Sequence, residues 1–193
     1  MSDFIVKALD ESTWPDFARL VEKHNGVWGG CWCMGFHQEG VGRDRSPLQN
    51  RSDKERRVRE GRAHAALVYD GPNAVGWCQF GPTDELPRIK LKKDYLNGLT
   101  QLPDWRITCF FVDKGYRGQG VTAIALEGAL NEIARLGGGI VESYPEEVAG
   151  RSTSGAFLYN AEISIFERLG FQRTRQLGKN HWVVIRVVDS LAP

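Results

Sequence analysis

A strand, a glycine-rich turn and a helix follow one another in the stretch Trp105-Arg-Ile-Thr-Cys-Phe-Phe-Val-Asp-Lys-Gly-Tyr-Arg-Gly-Gln-Gly-Val-Thr122. Residues 105–112 are the most strand-like run of the chain, and from Cys109 to the end of that run every residue is apolar. This pattern predicts a strand that is buried on both faces. Apolar residues recur at helical spacing from Val121 to Leu136, so we predict a helix directly after the turn.

The turn between these two elements has the composition of an anion-binding site. A helix N-terminus presents unpaired N–H groups and the positive end of the helix dipole, both of which attract phosphate. Gly118 and Gly120 let the backbone approach an anion closely, and Arg117 adds a positive charge. Glycines also form turns for purely structural reasons. The position of the turn, after a buried strand and before an amphipathic helix, therefore favours the phosphate interpretation.

The flanking sequence predicts six further strands and three further helices. The strands are expected at residues 4–9, 64–69, 74–80, 140–144, 171–177 and 182–188. The helices are expected after Thr13, from Asp53, and from Asn160 to Leu169, while residues 83–103 form a polar connection. This order predicts an α/β (α+β) fold on a mixed sheet, with residues 1–193 as a single domain.

The composition argues against several classes of partner. The net charge is +1, which gives no support for a nucleic-acid or anionic-membrane partner that is bound through bulk electrostatics. No run of about 18 apolar residues is present, so no spanning helix is expected. The first residues do not resemble a signal peptide. We therefore expect a cytoplasmic protein without a nucleic-acid or membrane partner.

Four cysteines occur in the chain: Cys31, Cys33, Cys78 and Cys109. A structural zinc site usually combines two closely spaced ligand pairs, and here only Cys31 and Cys33 form a pair. We therefore predict that no metal is bound and that the cysteines are reduced and packed as small apolar residues.

Residues 26–42 combine six glycines with bulky side chains. Glycine gives the backbone freedom, and aromatic rings supply rigid contact surface. Trp28 and Trp32 in this segment, together with Trp77 in a later strand, are candidates for the wall of an acceptor pocket. The alternative is that the three tryptophans pack in the core.

The strand, turn and helix of residues 105–136 resemble the acetyl-CoA-binding motif of the GNAT acetyltransferases. The family pattern Arg/Gln-x-x-Gly-x-Gly/Ala is matched by Arg117 and Gly120, with Thr122 in place of the last small residue. Residues 163–171, Ile-Ser-Ile-Phe-Glu-Arg-Leu-Gly-Phe, are similar to a later helix of the same family. Within the family, the segment Gly29-Gly-Cys-Trp-Cys-Met34 is similar to a bacterial subgroup.

The resemblance implies a GNAT fold, with a mixed and mostly antiparallel sheet of about seven strands and about four helices. It also implies direct transfer of an acetyl group from acetyl-CoA to a primary amine, which we expect to be a small molecule, in a ternary complex without a metal. A homodimer is compatible with it. The residues that it assigns to the cofactor site are Phe111, Val112, Arg117, Gly118, Gln119, Gly120, Val121 and Thr122.

The family's usual catalytic groups are missing from their expected positions. Phe166 stands where the family commonly has a tyrosine that acts as the general acid. Arg106 stands near the position at which some members have a glutamate that acts as the base. Tyr159 precedes Phe166 by seven residues, about two helical turns, and is our candidate for the acid. Glu142 and His37 are candidates for the base, and Glu39 and Cys33 are further candidates. Water could also carry the proton.

Two other functions are compatible with the same turn. A chain without the usual tyrosine and glutamate could bind acyl-CoA as a non-catalytic sensor. The turn could also hold a nucleotide phosphate, although the chain has neither the Lys-Ser/Thr of a P-loop nor a Gly-x-Gly-x-x-Gly motif.

Overall fold

The computed structural model of the chain describes residues 3–42, 44–148 and 158–191. Within these residues, seven strands form one sheet in the order β1-β2-β3-β4-β5-β7-β6. Neighbouring strands are antiparallel except β4 and β5, which are parallel. The predicted α/β fold with a mixed, mostly antiparallel sheet is confirmed. The prediction of a single domain over residues 1–193 stays a prediction.

The strands lie close to their predicted positions. They are β1 Ile5–Ala8, β2 His64–Asp70, β3 Asn73–Pro82, β4 Trp105–Val112, β5 Gly139–Ser143, β6 Gln172–Leu177 and β7 His181–Val188. Asp70 and Gly71 end β2 at a tight turn, after which β3 returns beside it. These local signals act over a few residues, which is why the sequence predicts them well.

The helices agree less well with prediction. They are α1 Trp14–Lys23, α2 Pro47–Arg59, α3 Lys92–Asn97, α4 Val121–Arg135 and α5 Ile163–Arg168. The predicted start of α2 at Asp53 is wrong by six residues, because Ser46 and Gln49 form a capping box at its N-terminus. The short helix α3 was not predicted, since only Tyr95 of its six residues is buried.

Two apolar clusters cover the two faces of the sheet. Helices α4 and α5 pack on one face, around the buried residues Ile107, Phe110 and Phe166. Helix α1 and the loop 27–36 pack on the other face, around Trp77 and Cys109. Strand β4 contributes side chains to both clusters, as expected for a strand that is buried on both faces.

The sheet opens between β4 and β5. These strands pair only through Trp105 to Ile107, opposite Val141 to Ser143. Farther along β4, the N–H of Phe110 instead donates to the carbonyl oxygen of Tyr159 at 2.7 Å, and the side chain of Asn160 donates to the carbonyl oxygen of Thr108 at 2.7 Å. As far as the described residues show, the divergence leaves the end of β4 without a paired strand on one side, directly before the glycine turn.

Candidate active site

A cleft of about 390 Å³ lies where β4 diverges from β5. Its wall combines the end of β4, the glycine turn, the first turn of α4 and residues around Leu158 and Ala161. Seven of the eight predicted cofactor residues line it: Phe111, Val112, Arg117, Gly118, Gly120, Val121 and Thr122. Gln119 does not, because its side chain is directed to the carbonyl oxygen of Gly115 at 3.1 Å.

The turn leaves room for an anion. Gly118 and Gly120 have φ values of +77° and +81°, and a Cβ atom at either position would meet no atom within 4 Å. Gly120 occupies the N-cap of α4, and no side chain of the described residues caps that helix. Arg117 is exposed beside it and has no carboxylate partner in the described part of the chain. Open N–H groups, a helix dipole and an unpaired guanidinium fit a pyrophosphate.

Asp113 fixes the start of the turn. Its carboxylate accepts a hydrogen bond from the N–H of Gly115 at 3.0 Å and pairs with Lys23 at 2.6 Å, while His24 lies 3.2 Å away. Burial of Asp113 acts to raise its pKa, but these partners outweigh burial and lower the pKa to about 2. The residue is therefore ionised at neutral pH and links α1 to the turn.

A second cavity of about 640 Å³, which we call the apolar cavity, adjoins the cleft at Trp28. Among the described residues, Trp28 is the one that lines both the cleft and the apolar cavity. The apolar cavity is walled by Phe36, Val41, Ile89, Tyr159 and the side chains of Cys31, Cys33 and Cys109, with Arg88 and Lys90 also on its wall. Together the two spaces could hold two ligands in contact.

Tyr159 stands on the wall of the apolar cavity. Its ring centroid lies 6.1 Å from that of Trp28 and 6.3 Å from that of Phe36. Its hydroxyl is buried and has no hydrogen-bond partner among the described residues. Burial raises the pKa of Tyr159, and electrostatic interactions with Cys109 and Glu146 raise it further, so the hydroxyl keeps its proton at neutral pH. Helix α5 begins only at Ile163, so Tyr159 lies before the helix, and its spacing of about two turns from Phe166 does not place the two residues on one helix face.

Glu142 is held in a different network, on strand β5. Its carboxylate accepts hydrogen bonds from the hydroxyls of Tyr95 at 2.7 Å and Tyr144 at 2.6 Å. The Tyr95 hydroxyl also accepts from Arg106 at 3.2 Å. Glu142 lines neither the cleft nor the apolar cavity. The network ties α3 to β4 and β5 and gives Glu142 a structural role.

His37 is fully buried behind the apolar cavity and does not line it. Its Nε2 atom lies 3.1 Å from Nζ of Lys54. Burial holds the pKa of His37 well below its usual value, and the nearby charges of Lys54 and Arg57 lower it further. A neutral imidazole of such low basicity, enclosed in protein, is poorly placed to accept a proton from a ligand.

The three candidate tryptophans occupy different environments. Trp28 is 39% exposed and lines both spaces. Trp32 packs against Trp14 and Phe17 in the core, with ring centroids 6.0 and 6.5 Å apart. Trp77, on β3, stacks on Phe111 near the end of β4, with ring centroids 4.7 Å apart. Trp32 and Trp77 line neither space.

Sequence reasoning did not find Arg88, Lys90 or Lys54. The first two belong to a connection without periodicity, and Lys54 sits in a helix that is rich in exposed charges, so no local signal marked them. All four cysteines are free thiols. Over the described ranges, no group of three His, Cys, Asp or Glu residues could hold a metal ion, and no helix there is long and apolar enough to cross a membrane.

Solved structures with the same fold are numerous. The yncA protein of Salmonella typhimurium, solved with its cofactor acetyl-CoA, is 16% identical with a TM-score of 0.54 and covers 98% of this chain and 96% of its own. A structure from Corynebacterium glutamicum, described as histone acetyltransferase HPA2 and related acetyltransferase, is 13% identical with a TM-score of 0.55, covering 100% and 99%. Ribosomal-protein-S5-alanine acetyltransferase from Vibrio fischeri is 10% identical with a TM-score of 0.53, covering 100% and 97%.

These likenesses concern the fold, because the identities are low. No curated protein matches the sequence. The family model described as the acetyltransferase (GNAT) family matches residues 14–148. This range contains β4, the glycine turn, all of α4 and every described residue of the apolar cavity wall except Tyr159. With the motif, the fold and the family model in agreement, this chain belongs to the GNAT acetyltransferase family.

Proposed function

We propose that this protein is an N-acetyltransferase that moves an acetyl group from acetyl-CoA to the primary amine of a small molecule. The observation that carries this proposal is the junction of the two spaces at Trp28. The cleft has the features that a pyrophosphate and pantetheine chain require, and the apolar cavity beside it offers a separate place for an acceptor. Two reactants held in contact gain much of their rate from proximity alone.

The cleft residues would hold acetyl-CoA through the backbone. The open amides at Gly118 to Thr122 would bind the pyrophosphate, with Arg117 adding charge. Because backbone groups alternate along a strand, the N–H of Val112 faces the same side as that of Phe110, away from β3. That N–H is our candidate for the donor that stabilises negative charge on the reacting carbonyl oxygen.

Acetyl-CoA supplies the activated thioester, and the chain positions groups around it. Trp28 covers the place where the two spaces meet and would exclude water there. Tyr159 keeps its proton at neutral pH, and its hydroxyl has no hydrogen-bond partner among the described residues, so it is our candidate for the group that protonates the departing thiolate. Neither Glu142 nor His37 faces these spaces, and we infer that water takes the proton from the amine.

The experiment is release of free coenzyme A thiol across a panel of primary amines, combined with calorimetric titration of acetyl-CoA. Gly120→Glu should lower acetyl-CoA affinity by roughly 100-fold or more, because like charges about 4 Å apart repel by about 4 kcal/mol near a protein surface. Gly61→Glu is the matched control. Gly61 also has a left-handed φ, +65°, with open space around it, but it follows α2, away from the cleft. Equal affinity in the two variants would eliminate this site.

Tyr159→Phe separates binding from chemistry. We expect it to keep acetyl-CoA affinity and to lower kcat by roughly 100-fold or more, as loss of a proton donor does. If the wild-type protein binds acetyl-CoA but releases no thiol with any amine, the non-catalytic sensor is the better reading. That reading is favoured by the absence of the family tyrosine at Phe166.

A further inference from the structure

The wall of the apolar cavity carries no carboxylate in the described ranges, and the thiolate character of Cys33 is balanced by the buried ammonium of Lys54. The wall residues are aromatic, aliphatic or thiol-bearing apart from Arg88 and Lys90, and no Asp or Glu lines it in the described ranges. The positions outside those ranges contain no Asp or Glu at all. An acceptor with several positive charges would therefore find no carboxylate here to replace its hydration, and burial of an unpaired charge is unfavourable.

Two cations on this wall, Arg88 and Lys90, have no carboxylate partner among the described residues. In the described part of the chain, neither Arg88 nor Lys90 takes part in a salt bridge. The guanidinium of Arg88 reaches only the carbonyl oxygen of Gln38, at 3.4 Å, and Nζ of Lys90 lies 4.3 Å from the ring centroid of Tyr159. The nearest acid in sequence to Gln38, Glu39, is already bound by Arg57 at 2.8 Å. The cavity thus has a positive edge that is free to bind an anion.

We propose that the apolar cavity binds an amine that carries one carboxylate and an aromatic or aliphatic body, with no second positive charge. This inference rests on the proposed function, since the amine is the acetyl acceptor. The amine would point toward Trp28, where the cavity meets the cleft, and the body would lie against Phe36 and Tyr159. The carboxylate would pair with Arg88 and Lys90, because a guanidinium matches a carboxylate in shape and charge.

The test compares three ligands with one ring and different charge. They are 4-(aminomethyl)benzoate, benzylamine and 1,4-bis(aminomethyl)benzene, titrated calorimetrically into the full chain saturated with coenzyme A. We expect the benzoate to bind at least about tenfold more tightly than the diamine. The double variant Arg88→Gln with Lys90→Gln should weaken benzoate binding at least about fivefold and leave benzylamine unchanged. Lys92→Gln with Lys93→Gln, on the exposed face of α3, is the matched control and should change nothing.

The binding readout keeps this inference separate from the proposed function. The predicted order of binding can hold even if no amine is acetylated, in which case only the function fails. Conversely, thiol release with spermidine but not with 4-(aminomethyl)benzoate would support the function and overturn this inference. It is also overturned if the diamine binds as tightly as the benzoate, if the benzoate does not bind at millimolar concentration, or if the double variant leaves its affinity unchanged. Tighter binding of octanoyl-CoA than acetyl-CoA, with displacement of the benzoate, would identify the space as an acyl pocket instead.

Discussion

Lys54 is a residue whose environment conflicts with its charge. The side chain is 1% exposed, and among the described residues the hydrogen-bond partners of Nζ are two neutral groups, Nε2 of His37 and Oε1 of Gln79, both at 3.1 Å. Burial lowers the pKa of Lys54, while the negative charge of Cys33 opposes that effect. A buried ammonium needs a counter-charge, and the neighbouring thiol can supply it.

Cys33 responds in the complementary way. Burial acts to raise its pKa, but a hydrogen bond from the thiol of Cys109 and the charge of Lys54 outweigh burial, so the pKa is lowered. By contrast, burial raises the pKa of Cys78 well above its usual value. Cys33 also lines the apolar cavity, whereas Cys78 does not. Two buried cysteines of one chain therefore differ in both thiolate character and access.

We predict that iodoacetamide modifies Cys33 with a pH midpoint below that of an ordinary cysteine thiol, because the pKa of Cys33 is lowered and only the thiolate reacts. Lys54→Met should move the midpoint upward, since it removes the charge that stabilises the thiolate. Peptide mass spectrometry across pH gives the rate at each cysteine, and Cys78 should react only after unfolding. An acetyl-CoA titration of Lys54→Met verifies that the variant is folded. A Cys33 midpoint at or above that of an ordinary thiol would contradict the prediction.

At the scale of elements, the loop between α1 and α2 is under backbone strain. Among the described residues of this loop, five other than glycine have left-handed φ values between +44° and +56°: Asn25, Val27, Trp28, Trp32 and Cys33. Each such residue costs about 1–2 kcal/mol, and a β-branched residue such as Val27 is especially unfavourable. Trp32, which belongs to this loop, packs against Trp14 and Phe17 of α1, and these contacts compensate for the strain. The strained loop in turn presents Trp28 and Cys33 to the two spaces.

Trp28 and Trp32 should therefore respond differently to truncation. We expect Trp32→Ala to lower the free energy of unfolding by roughly 3–5 kcal/mol, because it removes a large buried ring, with kcat/KM for the acceptor unchanged in the folded fraction. Trp28→Ala should have a small effect on stability, since the ring is partly exposed, and should impair acceptor use. Urea denaturation and acceptor kinetics on both variants measure this. The prediction is wrong if Trp32→Ala keeps its stability and loses acceptor use.

At the scale of the whole molecule, the cleft divides the sheet into two parts. Strands β1 to β4 lie on one side and β5 to β7 on the other, and within the described ranges three residue pairs join β4 to β5. A ligand that filled the cleft would contact both parts, because Val112 and Gly120 line it on one side and Leu158 and Ile165 on the other. Acetyl-CoA should therefore act as a connection between the two parts as well as a substrate.

We predict that acetyl-CoA at about 100 times its Kd stabilises the folded state by about 2.7 kcal/mol, which corresponds to a rise in Tm of roughly 5–10 °C for a chain of this size. Amide hydrogen exchange should slow at Val112 and at residues 118–122. The amide of Gly61, which lies outside the cleft, should be unaffected. Differential scanning calorimetry and exchange mass spectrometry provide the two measurements. Protection at the glycine turn without protection at Val112 would mean that the ligand does not reach the open edge of β4.

The sequence by itself determined the central part of the fold. Residues 105–136 predict a buried strand, a glycine turn and a helix, and the structure has β4 at Trp105–Val112 and α4 at Val121–Arg135. These features depend on periodicity and on the conformational freedom of glycine, both of which act over a few residues. The capping box at Ser46 is also local and could have been read from the sequence.

Only the tertiary structure decided what surrounds that centre. The wall of the apolar cavity combines residues near 28–41, 88–90, 109 and 159, which no local pattern connects. The same holds for the burial of Lys54 beside Cys33 and for the positions of Glu142 and His37, which line neither space. Burial and charge environment depend on contacts between segments that are distant in the chain. A sequence pattern reports which side chains are present, and packing decides which of them share a space.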